Sequence, residues 1–207
     1  MKRISKQHFG FSLIELMVAL TIFSIVMTVA MGTLIVLIDA NAKAQAVTSS
    51  MTNLTFAIDS MTRNLRTGRN FYCISAGAGS LTSGMLPGNT YTADCSPSGN
   101  TAIVFTPGFE SNWRMAYRLN STSNAIEQRI DRGTQGSWVP ITSNATTTGV
   151  TIGTLKFIVQ GSDDYLVDDD DDQPRIVLLI AGTVDNGLDE ETDFQVQSNV
   201  IQRVLNY

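Results

Sequence analysis

The stretch Phe11–Ile38 reads FSLIELMVALTIFSIVMTVAMGTLIVLI, 28 positions with a single charge, Glu15. Its last 23 residues, Leu16 to Ile38, carry no charge at all. As a helix rising ~1.5 Å per residue they reach ~35 Å, enough to cross a hydrocarbon core of ~30 Å. Ahead of the run, Met1–Gly10 holds Lys2, Arg3 and Lys6 and no acid. Positive charge stays on the cytoplasmic side, so the N-terminus is expected inside and everything after Asp39 outside. A secretory signal peptide has an apolar segment of roughly 7–15 residues followed by a small-residue cleavage site. This run is nearly twice as long and passes into further helical pattern without a turn signal. An ordinary signal anchor fits the length but leaves Glu15 unexplained. A charge in a membrane segment costs roughly 2–3 kcal/mol at the centre and less near the interface, so Glu15 calls for a partner.

Downstream, the helical pattern continues. No proline precedes Pro87 and no glycine lies between Gly32 and Gly68. Ala40, Ala44, Val47, Met51, Leu54, Ile58, Met61 and Leu65 follow one another at alternating steps of four and three, an a/d stripe. Arg63, Arg66 and Arg69 gather where cations suit the helix dipole, and Gly68 is placed to serve as the C′ stop. One helix is expected from about Phe11 to Thr67, ~85 Å long, apolar all round in its first half and amphipathic in its second.

Composition removes whole classes of function. The chain has 207 residues, 14 Lys+Arg against 19 Asp+Glu, and a formal charge of −5. An acidic balance argues against a nucleic-acid binder built on a basic face. The single histidine, His8, precedes the apolar run. If the leader is removed, histidine-dependent hydrolysis and histidine-ligated zinc have no residue to work with. No glycine-rich phosphate loop, nucleophile elbow or zinc spacing is present.

Gly10-Phe11-Ser12-Leu13-Ile14-Glu15-Leu16 resembles the prepilin signature of type IV pilins and type II secretion pseudopilins. The resemblance covers roughly residues 1–40. It implies that a prepilin peptidase cuts after Gly10 on the cytoplasmic side and methylates the new terminus, Phe11. It also implies that Glu15 pairs with the terminal amine of a neighbouring subunit during filament assembly. Many pilins carry a proline about twenty residues into this helix, where this chain has Gly32 instead. The segments Ser60–Arg66 and Phe194–Arg203 are similar to those of PilW-type minor pilins and J-type minor pseudopilins.

From Asn70 onward the pattern is β-like. A Ser/Gly/Thr/Asn-punctuated loop region spans residues 75–101. Apolar runs follow at 102–105, 115–119, 125–130, 151–160, 175–184 and 194–204, separated by turn chemistry. A long helix followed by a mostly antiparallel sheet is an α+β arrangement, with the Val47–Leu65 stripe as cover for the sheet's apolar face. The expected organisation is leader 1–10, filament-core helix 11–38, amphipathic helix 39–69 and β-rich region 70–207. Cys73 and Cys95 lie in an oxidising compartment on this topology, where a pair of cysteines usually bridges; free thiols are the other reading. Twelve of the 19 acids fall between Asp163 and Asp193. Asp163, Asp164, Asp168, Asp170 and Asp172 suit a hard cation such as Ca²⁺, although EF-hand spacing fails: counted from Asp168, Gln173 and Leu179 occupy the glycine and bidentate positions. A solvated acidic loop is the alternative. No other cofactor is expected. Trp113, Trp138 and Tyr165 read as packing rather than as a carbohydrate platform.

The expectation is a non-enzymatic minor subunit of a type IV pilus or type II secretion pseudopilus. It would be stored in the inner membrane with its C-terminal domain periplasmic. Its partners would be prepilin peptidase, an inner-membrane assembly platform and other pilins, and nucleic acid is not expected among them. A pilus-borne adhesin or DNA-uptake module is the alternative.

Overall fold

The computed structural model describes residues 10–77, 81, 84–87, 92–95, 97–142, 150–161, 174–185 and 191–203. Among these residues one helix, α1 (Leu13–Thr67), is followed by eight strands: β1 (Arg69–Ile74), β2 (Ala102–Thr106), β3 (Arg114–Asn120), β4 (Ala125–Asp131), β5 (Val139–Pro140), β6 (Val150–Gln160), β7 (Arg175–Asp185) and β8 (Glu191–Ile201). The chain divides after Lys43 into two compact units.

In the first unit every side chain from Leu13 to Ala42 is exposed. This helix is long and apolar enough to cross a membrane. Its hydroxyls are turned inward on the helix itself. Thr21, Ser24 and Thr28 donate to the carbonyls of Val18, Leu20 and Ser24 at 2.8 Å, and Thr33 donates to that of Ala30 at 2.9 Å. Each of these hydroxyls is thereby satisfied within its own helix, as an apolar surrounding requires.

In the second unit the same helix buries Ser50, Leu54, Ala57, Met61 and Leu65, with Val47, Met51 and Ile58 packed at the margin. The expected stripe is therefore the one that meets the sheets. Gly68 does end the helix, but its glycine identity comes from close packing: a Cβ there would lie 2.6 Å from the Phe105 ring. The left-handed turn falls two residues later, at Asn70 with φ 56°.

All strand pairs are antiparallel, and they form two sheets where one was expected: β1-β2-β3-β4-β5 and β6-β7-β8. Two strands appear that the sequence reading does not assign, β1, whose first residue Arg69 it gives to the helix, and the two-residue β5, and β8 starts at Glu191 instead of Phe194. The reading of one apolar sheet face also needs correcting, because every residue of β2 is buried. Alternation along a strand sends neighbours to opposite faces. Ile103 and Phe105 join the main core with the helix and the second sheet, while Ala102 and Val104 join a smaller core closed by Leu81 and Leu86.

The segment carrying Cys95 stitches the two sheets. Ala93 N–H donates to Phe71 O on β1 at 2.8 Å, and Cys95 N–H to Val159 O on β6 at 3.1 Å. Asn100 and Phe157 exchange both backbone bonds, at 2.9 and 2.8 Å. The Cys73–Cys95 disulfide, with Cα atoms 5.5 Å apart, locks this segment to β1. At the chain's other end, Arg203 N–H donates to Arg66 O at 2.8 Å, satisfying one of the carbonyls that a helix C-terminus leaves free.

Candidate processing and assembly segment

Gly10, Phe11 and Ser12 precede α1 in non-helical backbone, and all three are exposed. Ser12 is the N-cap. Its Oγ accepts the Glu15 N–H at 3.3 Å, while its carbonyl accepts the Leu16 N–H at 3.2 Å as the first intrahelical bond. Ser12-x-x-Glu15 is thus the Ser-x-x-Glu spacing of a capping box, with Glu15 at the third helical position. A carboxylate in the first turn also complements the positive end of the helix dipole. Gly10 has no atom within 4 Å of where a Cβ would stand. The Gly10–Phe11 peptide therefore lies outside the helix and uncrowded by the described residues.

Cleavage there would leave the Phe11 amine one residue before the N-cap. The Glu15 carboxylate would follow about one turn further on. Among the described residues no side chain or N–H pairs with that carboxylate. The basic leader residues Lys2, Arg3 and Lys6 lie outside the described residues.

The remaining sequence candidates separate. Cys73 and Cys95 come together as the disulfide. Asp163, Asp164, Asp168, Asp170 and Asp172 lie outside the described residues, as does Tyr165; among the described residues no group of three or more His, Cys, Asp or Glu is arranged to hold a metal. Trp138 packs on the smaller core and donates Nε1–H to Leu81 O at 3.2 Å, with the Arg118 guanidinium 4.0 Å above its ring. Trp113 stacks under Arg132 at 4.5 Å and meets Phe109 edge-on at 5.5 Å.

One polar cluster was missed. Glu127, Arg129 and Asp131 fall on one face of β4, a charged set that reads as a solvent face, yet Arg129 and Asp131 are 1% and 0% exposed. Arg129 donates Nε–H to Asp131 Oδ1 at 2.7 Å and Nη2–H to Oδ2 at 2.9 Å. It also donates to the carbonyls of Leu81 at 3.3 Å and Gly84 at 2.5 Å. Asp131 accepts the N–H of Leu86 at 2.6 Å and of Gly136 at 2.8 Å. Burial alone would raise its pKa, but the bonds from Arg129, Leu86 and Gly136 and the adjacent charge outweigh it and hold the carboxyl below its ordinary range. The cluster pins two loops to the sheet.

Residues 5–31 match the family model for the prokaryotic N-terminal methylation motif, the type IV prepilin-like signature. No curated protein and no solved structure matches the chain. The match spans that N-terminal segment alone and indicates a prepilin-type signal there.

Proposed function

We infer that this chain is a minor subunit of a type IV pilus or type II secretion pseudopilus, and that its work is assembly rather than catalysis. Before assembly it sits in the inner membrane through residues 11–38, N-terminus cytoplasmic and C-terminal unit periplasmic. The peptidase cuts after Gly10 and methylates Phe11, and an inner-membrane platform then draws the helix into the filament. The observation that carries this reading is the junction itself: a methylation motif whose Gly10–Phe11 bond lies just outside a capped, wholly exposed apolar helix, with Glu15 one turn in and unpaired among the described residues. The C-terminal unit, far larger than the helix needs for anchoring, supports a specialised subunit over a closely packed repeating one.

Glu15 explains assembly in physical terms. A lone carboxylate among apolar neighbours loses its hydration without return. The methylated amine of an incoming subunit keeps its charge, so the two ions together offset a desolvation that neither offsets alone. Removing one partner of such a buried pair costs roughly 3–5 kcal/mol, or about a hundredfold or more in incorporation at ~1.4 kcal/mol per factor of ten. Glu15→Ala and Glu15→Gln are therefore expected to be inserted and cut after Gly10 like wild type, yet to be depleted from sheared filaments relative to the membrane pool. Intact-mass spectrometry of the native protein should find Phe11 as the N-terminal residue and methylated. A mature start near Ala30, or Glu15 variants that enter filaments normally, overturns the reading.

A further inference from the structure

We propose that the outer edge of β8 is a docking site for an extended segment of a different protein, which adds a strand to the second sheet and sets Lys or Arg opposite Glu191 and Asp193. The inference goes beyond the assembly reading above and does not rest on it.

A sheet edge is a row of unpaired N–H and C=O groups that invites another strand. Folded proteins blunt it with short strands, proline, bulges, lysine or a covering segment. Among the described residues, three of the four edges of the two sheets are blunted in this way. β5 is two residues long and ends in Pro140. β1 is bonded through Phe71 O to Ala93 N–H and tied down by the disulfide. β6 is covered by the Cys95–Asn100 segment, through Val159 O and the paired bonds of Phe157. β8 is different. It has 11 residues, ETDFQVQSNVI, with no proline, lysine or arginine among them. It pairs with β7 in unbroken register from Asp185↔Glu191 to Arg175↔Ile201.

The hydrogen bonds at its end show which groups are left over. Gln202 N–H donates to Pro174 O at 3.0 Å, on the β7 side, and Arg203 N–H points the other way, to Arg66 O. In an antiparallel ladder this direction alternates residue by residue. Glu191, Asp193, Gln195, Gln197, Asn199 and Ile201 therefore aim their N–H and C=O groups away from β7. Among the described residues no backbone group answers them, and all of these residues are exposed.

The side chains identify the occupant. On one face of β8, Phe194 and Val200 belong to the main core and Val196 packs at its margin. On the other face stand the two acids, then Gln195, Gln197 and Asn199. An incoming strand thus meets an apolar row on one face and two carboxylates at one end of the other. A segment alternating apolar with polar residues, basic where it passes Glu191 and Asp193, satisfies both, because opposite charges attract across strands and like charges directly opposite repel. Main-chain bonds then supply affinity and the alternate side chains supply specificity. A second β8 has no cation to offer these acids, so the partner is a different protein.

The probe is a synthetic peptide, acetyl-Thr-Val-Thr-Val-Thr-Val-Lys-Val-Lys-amide, which in antiparallel register sets its lysines opposite Asp193 and Glu191. Added to the full chain in detergent micelles, it should slow amide hydrogen exchange at Asp193, Gln195, Gln197 and Asn199. The same peptide with both lysines replaced by glutamate should bind at least about fivefold more weakly, the scale of two cross-strand charge pairs reversed. Gln197→Pro removes one outward N–H at a place where an edge strand accepts proline; it should melt like wild type and lose the peptide. Should that variant unfold, Glu191→Lys/Asp193→Lys carries the test, since both side chains are exposed: it should reverse the preference between the two peptides. Wild-type binding by folded Gln197→Pro, or an unreversed preference in the double-lysine variant, overturns the proposal by putting the peptide elsewhere on the chain. Edge protection that rises with protein concentration in the absence of peptide makes the occupant a second copy and overturns it too, as does an edge left unprotected at millimolar peptide.

Discussion

Replacing Asp131 by Leu would leave the Arg129 guanidinium sealed behind the smaller core with no counter-charge. The geometry sets the size of the effect. The pair is bidentate at 2.7 and 2.9 Å and fully enclosed, so solvent screening gives no relief, and an uncompensated buried charge costs roughly 3–5 kcal/mol. For a protein of this size ~1 kcal/mol moves the melting midpoint by about 2–4 °C, which predicts a fall of about 6–20 °C. The double variant Arg129→Met/Asp131→Leu removes both charges. Apolar replacement of a buried pair is often near neutral, although here the carbonyls of Leu81 and Gly84 and the N–H groups of Leu86 and Gly136 lose partners. It should therefore recover at least ~2 kcal/mol relative to Asp131→Leu alone, a coupling within the range of contacting residues. Urea unfolding followed by tryptophan fluorescence is suited to the measurement, because Trp138 is bonded to Leu81 O inside the cluster. A loss below ~1 kcal/mol for Asp131→Leu, well short of the cost of a stranded buried charge, refutes the assignment. So does a double variant as unstable as the two single losses added. The pH dependence has a defined sign: with its pKa lowered from the ordinary 3.8, Asp131 contributes stability that is full above that value and is lost as pH falls through the folded pKa.

Two further perturbations test the packing around the helix and the stitched sheets. Cys73→Ala/Cys95→Ala should lower stability by roughly 3 kcal/mol, the chain-entropy value for a loop of this length, read as a shift in the urea midpoint against the oxidised wild type. Tyr117, whose hydroxyl accepts from Asn64 at 2.8 Å, is pushed up to about 12 from 10.0 by burial, with the Asn64 bond opposing. Its stabilising preference for the neutral form is complete below pH 10 and is lost as pH rises toward 12; Tyr117→Phe should flatten that part of the stability profile.

How much of the molecule was legible follows from where each residue's role is local. The helix stripe Val47–Leu65 shows its period in the sequence, and the runs that became β2, β3, β4, β6 and β7 show as short apolar runs bounded by turn residues. β1 hides for the opposite reason. Arg69 and Asn70 open it, Asn70 takes a left-handed conformation, and its pairing with β2 shifts register between Arg69 and Tyr72, so no alternation is left to see. Gly68 was placed correctly for the wrong cause, since the Phe105 ring that demands a glycine lies 37 positions away in sequence. Arg129 and Asp131 could not be read as buried, because the loops that enclose them reach β4 only in three dimensions. In the site, Gly10, Phe11 and Glu15 were legible as a local motif, and Ser12 gained its capping role only once the helix start was seen.

The disulfide has a mechanical consequence. Were the chain held by its N-terminal helix and loaded at its far end, tension that reached Thr67 would pass into β1. Peeling β1 from β2 would run on into the next segment were it not for Cys73. The covalent link to Cys95 short-circuits a separation of 22 residues, removing about 75 Å of extensible contour at ~3.4 Å per residue. Beyond that point the force skips the intervening loop and enters the Cys95–Asn100 segment, whose bonds to Val159 and Phe157 spread it over the second sheet. The bridge thus works as a load-limiting crosslink: strain on the tether stops at residue 73 and is shared between two sheets.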